Sequence, residues 1–158
     1  MPRLDIYLPT NRWLPGFLRL YNGEGRRLLY DIPCRGKADS RRAAAKGNPD
    51  RGPTRPWGDL PSGSYRTAQV TRYDPPHPTF VDLAIILEGN GGDALKAARN
   101  GRTGLAVHGG RGNVRLTATY GCLRVFDRDM FLLAECIGGG KLEVEVIDCP
   151  SWPPDIKE

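Results

Sequence analysis

The sequence predicts a mainly β fold in a single domain, and three observations carry that expectation. Its 158 residues include 20 glycines and 14 prolines. These punctuate the whole chain rather than gathering in one linker, which marks many turns. Apolar residues alternate or run in strand-sized lengths, and only the segment 127–137 carries a full helical face. A hydrophobic fraction of 39% and this length suit one core spanning 1–158, with 35–56 a basic loop and 150–158 an irregular tail.

Taken in order, Phe17–Tyr21, the turn Asn22-Gly23-Glu24-Gly25 and Leu28–Ile32 read as a β-hairpin, with Asn-Gly marking the turn. The segment 35–56, rich in Gly and Pro, reads as loop with one helical turn at 41–46. Pro61-Ser62-Gly63 is a turn, and alternation predicts a strand over 65–73. Asp74-Pro75-Pro76-His77-Pro78 reads as a rigid, exposed connector. Phe80–Leu87 is apolar enough for a central strand, Asp93–Arg99 for a short helix, and Leu105–Val107 for a strand ending at His108. Gly109–Gly112 is a flexible loop. In the main helix Asp127 is the expected N-cap, Met130, Leu133, Ala134 and Ile137 share one apolar face, and Gly138 ends it. Leu142, Val144 and Val146 alternate with charged residues in a closing strand.

The net charge of +5 is local. Residues 35–55 hold seven basic and two acidic side chains (7 − 2 = +5), so the remainder is balanced. Such a segment is either a solvated excursion or a mobile lid that draws in an anionic polymer. No aromatic residue interleaves with these charges before Trp57, which argues against nucleic acid as the partner. No apolar run reaches the roughly 18 residues of a membrane span. Arg3, Asp5, Arg12 and Arg19 interrupt any secretory leader, so the expectation is a leader outside this chain, work in the cytoplasm, or export by a specialised system. Cys34, Cys122, Cys136 and Cys149 form no CxxC pair and the two histidines lie far apart, so no metal or cofactor is expected. Cys34, Cys136 and Cys149 read as small buried apolar groups, with a disulfide among them left open.

The chemistry concentrates in two segments. Val107-His108-Gly109-Gly110 sets a histidine at the end of an apolar strand, and Thr119-Tyr120-Gly121-Cys122-Leu123-Arg124 follows, its cysteine fourteen positions after His108. A thiol attacks as thiolate, and a histidine beside it lowers its pKa or takes its proton. Gly121 permits a tight turn before the sulfur, so the amides of Tyr120, Gly121 and Cys122 can converge on an oxyanion. The bland alternative is a strand-end histidine bonded to backbone and a buried cysteine.

These segments resemble the signature of the YkuD-type L,D-transpeptidase family, an apolar strand ending in His-Gly followed by Ser/Thr-His-Gly-Cys-Ile/Leu-Arg. Leu60-Pro61-Ser62-Gly63-Ser64-Tyr65 resembles its Thr-Pro-x-Gly-x-Tyr/Phe turn, and the likeness runs from about Phe17 to Asp148. Tyr120 replaces the family's second histidine, and Leu60 its threonine. The resemblance implies a mixed-strand β-sandwich with a main helix after the cysteine and a shorter one before it. It further implies Cys122 as nucleophile, His108 as base, and a peptidoglycan tetrapeptide stem as substrate. The Gly109 carbonyl would orient His108. Arg124 would either hold a substrate carboxylate or pair with Asp127 or Asp129, while Thr119 and Tyr65 would line the cleft, with packing the alternative for Tyr65.

Two other readings stand beside this one. The same motif serves an L,D-carboxypeptidase or an enzyme exchanging the terminal D-amino acid, and a non-catalytic wall-binding module would keep the fold alone. Action in the periplasm or cell wall without a leader further suggests an antibacterial effector, whose partners would include a secretion apparatus and an immunity protein.

Overall fold

The computed structural model describes residues 1–66 and 69–156. Among these residues nine strands form one mixed sheet: β1 (Arg3–Pro9), β2 (Gly16–Tyr21), β3 (Ile32–Arg35), β4 (Gly63–Arg66), β5 (Val70–His77), β6 (Val81–Gly89), β7 (Leu105–His108), β8 (Leu123–Val125) and β9 (Glu143–Cys149). Their order is β4-β9-β1-β2-β3-β8-β7-β6-β5, and an added β4–β6 pairing closes the sheet on itself. The β1–β9 and β7–β8 pairs are parallel and the others antiparallel. Closure buries Leu4, Ile6, Leu8, Leu18, Ile32, Leu123, Val144 and Val146 in one core. Among the described residues three helices interrupt the strands, α1 (Ser40–Ala45), α2 (Gly92–Arg99) and α3 (Asp127–Ile137). This is the mainly β architecture the sequence predicts, with its main helix directly after Cys122.

Several elements depart in detail. β1 was not expected, although Leu4, Ile6 and Leu8 alternate; it pairs along its whole length with β9 at the far end of the chain. The hairpin turn is as predicted, with the Asn22 side chain accepting from the amides of Glu24 and Arg26 at 2.9 Å each. The return strand begins only at Ile32, opposite Leu18. Before it, among the described residues, only an isolated Tyr21–Arg27 bridge and the Leu28 amide on the Leu20 carbonyl join the return stretch to β2, and Arg19 and Arg27 both pair with Asp31. The strand expected over 65–73 divides into the end of β4 and the start of β5; Thr67 and Ala68 between them lie outside the described residues. The proline-rich connector is part of β5. That strand is the sheet's edge, where prolines cost no ladder bond, and its register shifts between Arg72 and His77.

Asp127 does not cap α3. Phe126 occupies the N-cap, and the Asp127 carboxylate instead accepts from Gly110 N at 2.5 Å and Gly112 N at 3.0 Å. The residue thus ties the loop after β7 to the helix. The predicted face of Met130, Leu133, Ala134 and Ile137 is buried. Cys136 is exposed rather than buried, Cys34 and Cys149 are buried, and all four cysteines are free.

The basic segment is neither an unanchored excursion nor a bare loop. Ala38 bridges Thr119, and the Ala38 amide donates to Asp59 at 2.7 Å. Asp39 caps α1 through the Arg42 amide, and buried Asn48 bonds Gly52 and Pro56. Residues 37–39 are therefore stitched to the strand-like stretch that leads into Cys122.

Candidate active site

Parallel pairing of β7 and β8 builds the site. The register sets Val107 against Leu123 and His108 against Arg124. By alternation, Cys122, just before β8, shares a sheet face with Arg124 and His108. All three line one cleft of about 370 Å³. A second lobe of about 350 Å³ reaches Cys122 past Trp57, Arg102 and Gly104. Thr79, Tyr120 and Cys122 border both lobes, so the sulfur stands where the two meet.

His108 is 1% exposed. Its Nδ1 lies 2.7 Å from the Gly109 carbonyl oxygen, the orienter the sequence suggested. That acceptor fixes the proton on Nδ1 and leaves Nε2 with a lone pair, and Nε2 has no hydrogen-bond partner. Burial pushes the imidazole pKa down to about 4; the Gly109 bond opposes this, while Arg124 and His77 add to it. At neutral pH the ring is therefore neutral, the state a base needs.

Cys122 is also buried. Burial raises its thiol pKa, against the Ala106 backbone contact and the charges of Arg102 and Arg124. Its Sγ donates to the Gly104 carbonyl at 3.4 Å rather than to His108. No hydrogen bond joins the Cys122 thiol to His108 among the described residues. The two groups face one cleft, and proton transfer requires the thiol to meet Nε2 there.

The turn before the sulfur is held by Thr119. Its hydroxyl accepts from the Gly121 amide at 3.0 Å and donates to the Cys122 carbonyl at 2.8 Å. Thr119 thus lines the cleft as expected, but it claims the Gly121 N–H that was assigned to an oxyanion. Tyr120 and Cys122 remain as amide candidates. Gly121 has φ +118°, and a Cβ there would fall 2.2 Å from Arg102 Nη2 and 2.6 Å from the Gly58 carbonyl.

Arg102 is the residue the sequence reading missed. Buried, it donates to the carbonyls of Pro53 at 2.5 Å, Asp59 at 2.8 Å and Gly58 at 2.9 Å. One guanidinium thereby clamps the 53–59 segment against the nucleophile turn. Nothing in Gly101-Arg102-Thr103-Gly104 distinguishes it from a surface loop.

Arg124 does not form the ion pair that was one of the two roles suggested for it. It is 6% exposed and donates to the Gly109 carbonyl at 2.6 Å, with no ion pair to Asp127 or Asp129 among the described residues. The Gly109 oxygen thus receives both His108 and Arg124. Tyr65 lies in the core with its hydroxyl on the Pro61 carbonyl at 2.6 Å, and does not line the cleft at Cys122. Tyr120 is half exposed at the rim, edge-on to Trp57 at 5.9 Å, with the Arg42 guanidinium 4.8 Å from its ring. Lys46 lies 5.3 Å from the Trp57 ring, so the basic segment does border the cleft.

No family profile and no curated protein matches the sequence. Solved structures do share the fold. Bd1075 of Bdellovibrio bacteriovorus superposes with a TM-score of 0.56 at 19% identity, over 92% of this chain and 48% of its own. The helical cell shape determining protein Pgp2 of Campylobacter jejuni follows at 0.53 and 13%, over 93% and 48%. L,D-transpeptidase 1 of Mycobacterium tuberculosis is more distant, at 0.43 and 13%, over 92% and 62%. The chain spans about half the length of the first two structures. At these identities the likeness is one of fold alone.

Proposed function

We propose that the protein is a cysteine-dependent L,D-transpeptidase acting on peptidoglycan tetrapeptide stems. One observation carries the reading: Cys122 and a neutral His108, its Nε2 unpartnered and its Nδ1 bound to Gly109, open together onto a two-lobed cleft.

The resting pair is thiol and imidazole, because burial penalises both ions. Proton transfer therefore accompanies attack. As Sγ bonds to the carbonyl carbon of the stem's third residue, Nε2 takes the thiol proton. The carbonyl oxygen gains the displaced electron pair, and the amides of Tyr120 and Cys122 receive it. Collapse breaks the C–N bond, Nε2–H protonates the departing amine, and the terminal D-amino acid leaves. The resulting thioester is opened by a second stem's amine or by water, with Nε2 accepting the proton and returning it to sulfur. Gly109, held by Arg124, keeps the imidazole in the required tautomer.

Mass spectrometry of digested sacculi tests this directly. Wild-type protein should yield tripeptide stems or cross-links between two diamino acids, and Cys122→Ala and His108→Ala should yield neither. Equal product from Cys122→Ala would end the assignment. Hydrolysis or D-amino-acid exchange would appear as tripeptides alone or as exchanged tetrapeptides. Delivery as an antibacterial effector belongs to the same proposal and would be tested by expression in the periplasm of a susceptible host.

A further inference from the structure

His77 was expected to be an exposed residue in a connector, yet it is half-buried and stacks on Phe80, which borders the second lobe of the cleft. It ends β5 opposite Val81, at the mouth of the β5–β6 hairpin. Its Nδ1 accepts from the amides of Thr79 at 3.0 Å and Phe80 at 3.1 Å. Both donors are backbone N–H groups, so Nδ1 must carry a lone pair and the ring proton resides on Nε2. One imidazole nitrogen thereby closes the turn as an Asx oxygen does elsewhere.

The turn needs such a closure. Val81 has φ +65°, a conformation costing a β-branched residue about 1–3 kcal/mol. The segment this closure positions is part of the cleft wall, for Thr79 borders both lobes and Val81 the His108 lobe. Phe80 packs on His77 at 4.5 Å with planes 12° apart, and meets the His108 ring at 5.0 Å and 45°. Tyr73 closes the cluster at 4.9 Å from His77. Among the described residues the His108 ring makes one hydrogen bond, through Nδ1, about which it could otherwise swing. The contact with Phe80 restrains that swing.

We propose that His77 is a positioning residue: by closing the turn at Thr79 and Phe80 it seats Phe80 against His108 and fixes the direction of Nε2. This rests on His108 as the base, and it assigns the hairpin tip a part in the chemistry beyond enclosing the cleft. An error of about 1 Å in a base costs on the order of 100-fold in rate, so a single ring contact has leverage.

Two variants separate the acceptor from the ring. His77→Asn keeps a side-chain oxygen for the two amides and loses the imidazole; His77→Phe keeps a ring and loses the acceptor. Release of D-alanine from tetrapeptide stems, alkylation of Cys122 by iodoacetamide, and the imidazole NMR signals of His108 are measured on each, with His77→Ala alongside. His77→Asn should stay within about threefold of wild type, whereas His77→Phe and His77→Ala should lose about tenfold or more in kcat with KM nearly unchanged. The His108 signals should move or broaden in the Phe and Ala variants and not in the Asn variant. Unchanged His108 signals and alkylation in His77→Ala would overturn the proposal, as would an Asn variant no better than Ala. Should the wild type release no D-alanine, the functional reading fails while the NMR and alkylation results still decide the role of His77.

Discussion

Replacing Arg102 by methionine separates the clamp behind the nucleophile from the nucleophile itself. The guanidinium donates to three backbone carbonyls, Pro53, Gly58 and Asp59, from a position 7% exposed. A hydrogen bond to a charged donor contributes about 1.5–3 kcal/mol, and each carbonyl left dry costs about 1–3 kcal/mol. Three shared bonds are not additive, and methionine recovers part of the packing, so a net loss of about 3–5 kcal/mol is expected. For a chain of this size that lowers Tm by on the order of 10 °C. Urea unfolding followed by circular dichroism measures it, with an unchanged m-value showing that the end states are the same. Arg102→Lys, which keeps a charge but not the forked geometry, should fall between the two. Below the transition, the methionine variant should also alkylate Cys122 more slowly, because a cation favouring the thiolate is gone. A loss under about 1 kcal/mol with normal alkylation would refute the clamp.

Three further outcomes follow from the same geometry. The pKa of His108, pushed down to about 4, lies below the unfolded value of about 6.5, so the folded state resists protonation. Its contribution to stability is complete above pH 6.5 and is lost as pH falls through 4, by about 3 kcal/mol relative to His108→Gln; equal pH dependence in the two would refute it. The acid limb of turnover due to this group should likewise lie near pH 4 rather than 6.5. Changing Arg41, Arg42, Lys46 and Arg55 together to glutamine should weaken binding to purified sacculi at low salt and matter little at high salt; unchanged low-salt binding would leave the segment without an anionic partner. Asp127→Ala should free the amides of Gly110 and Gly112, cost about 1–3 kcal/mol, and speed hydrogen exchange at those two positions selectively.

What the chain determines by itself is local. The 3.6-residue spacing of Met130, Leu133, Ala134 and Ile137 selects one buried helix face, and alternation at Val144 and Val146 selects a half-buried strand, because both patterns follow from backbone geometry. The pairing of a strand-end histidine with Gly-Cys could be read for the same reason: the motif lies in two short segments whose chemistry is carried by residue type. Tertiary structure alone decides what those residues meet. Parallel β7–β8 pairing puts His108 and Cys122 on one face, and the β1–β9 pairing joins the chain's two ends. Asp127 looks like a helix cap until the Gly110–Gly112 loop arrives beside it, and Arg124 like the ion-pair partner of a nearby aspartate until the fold sets it on the Gly109 carbonyl. Arg102 and His77 left no signal in sequence because their partners are backbone atoms. Any residue supplies a carbonyl or an amide, so only the folded path of the chain says which of them a side chain will find.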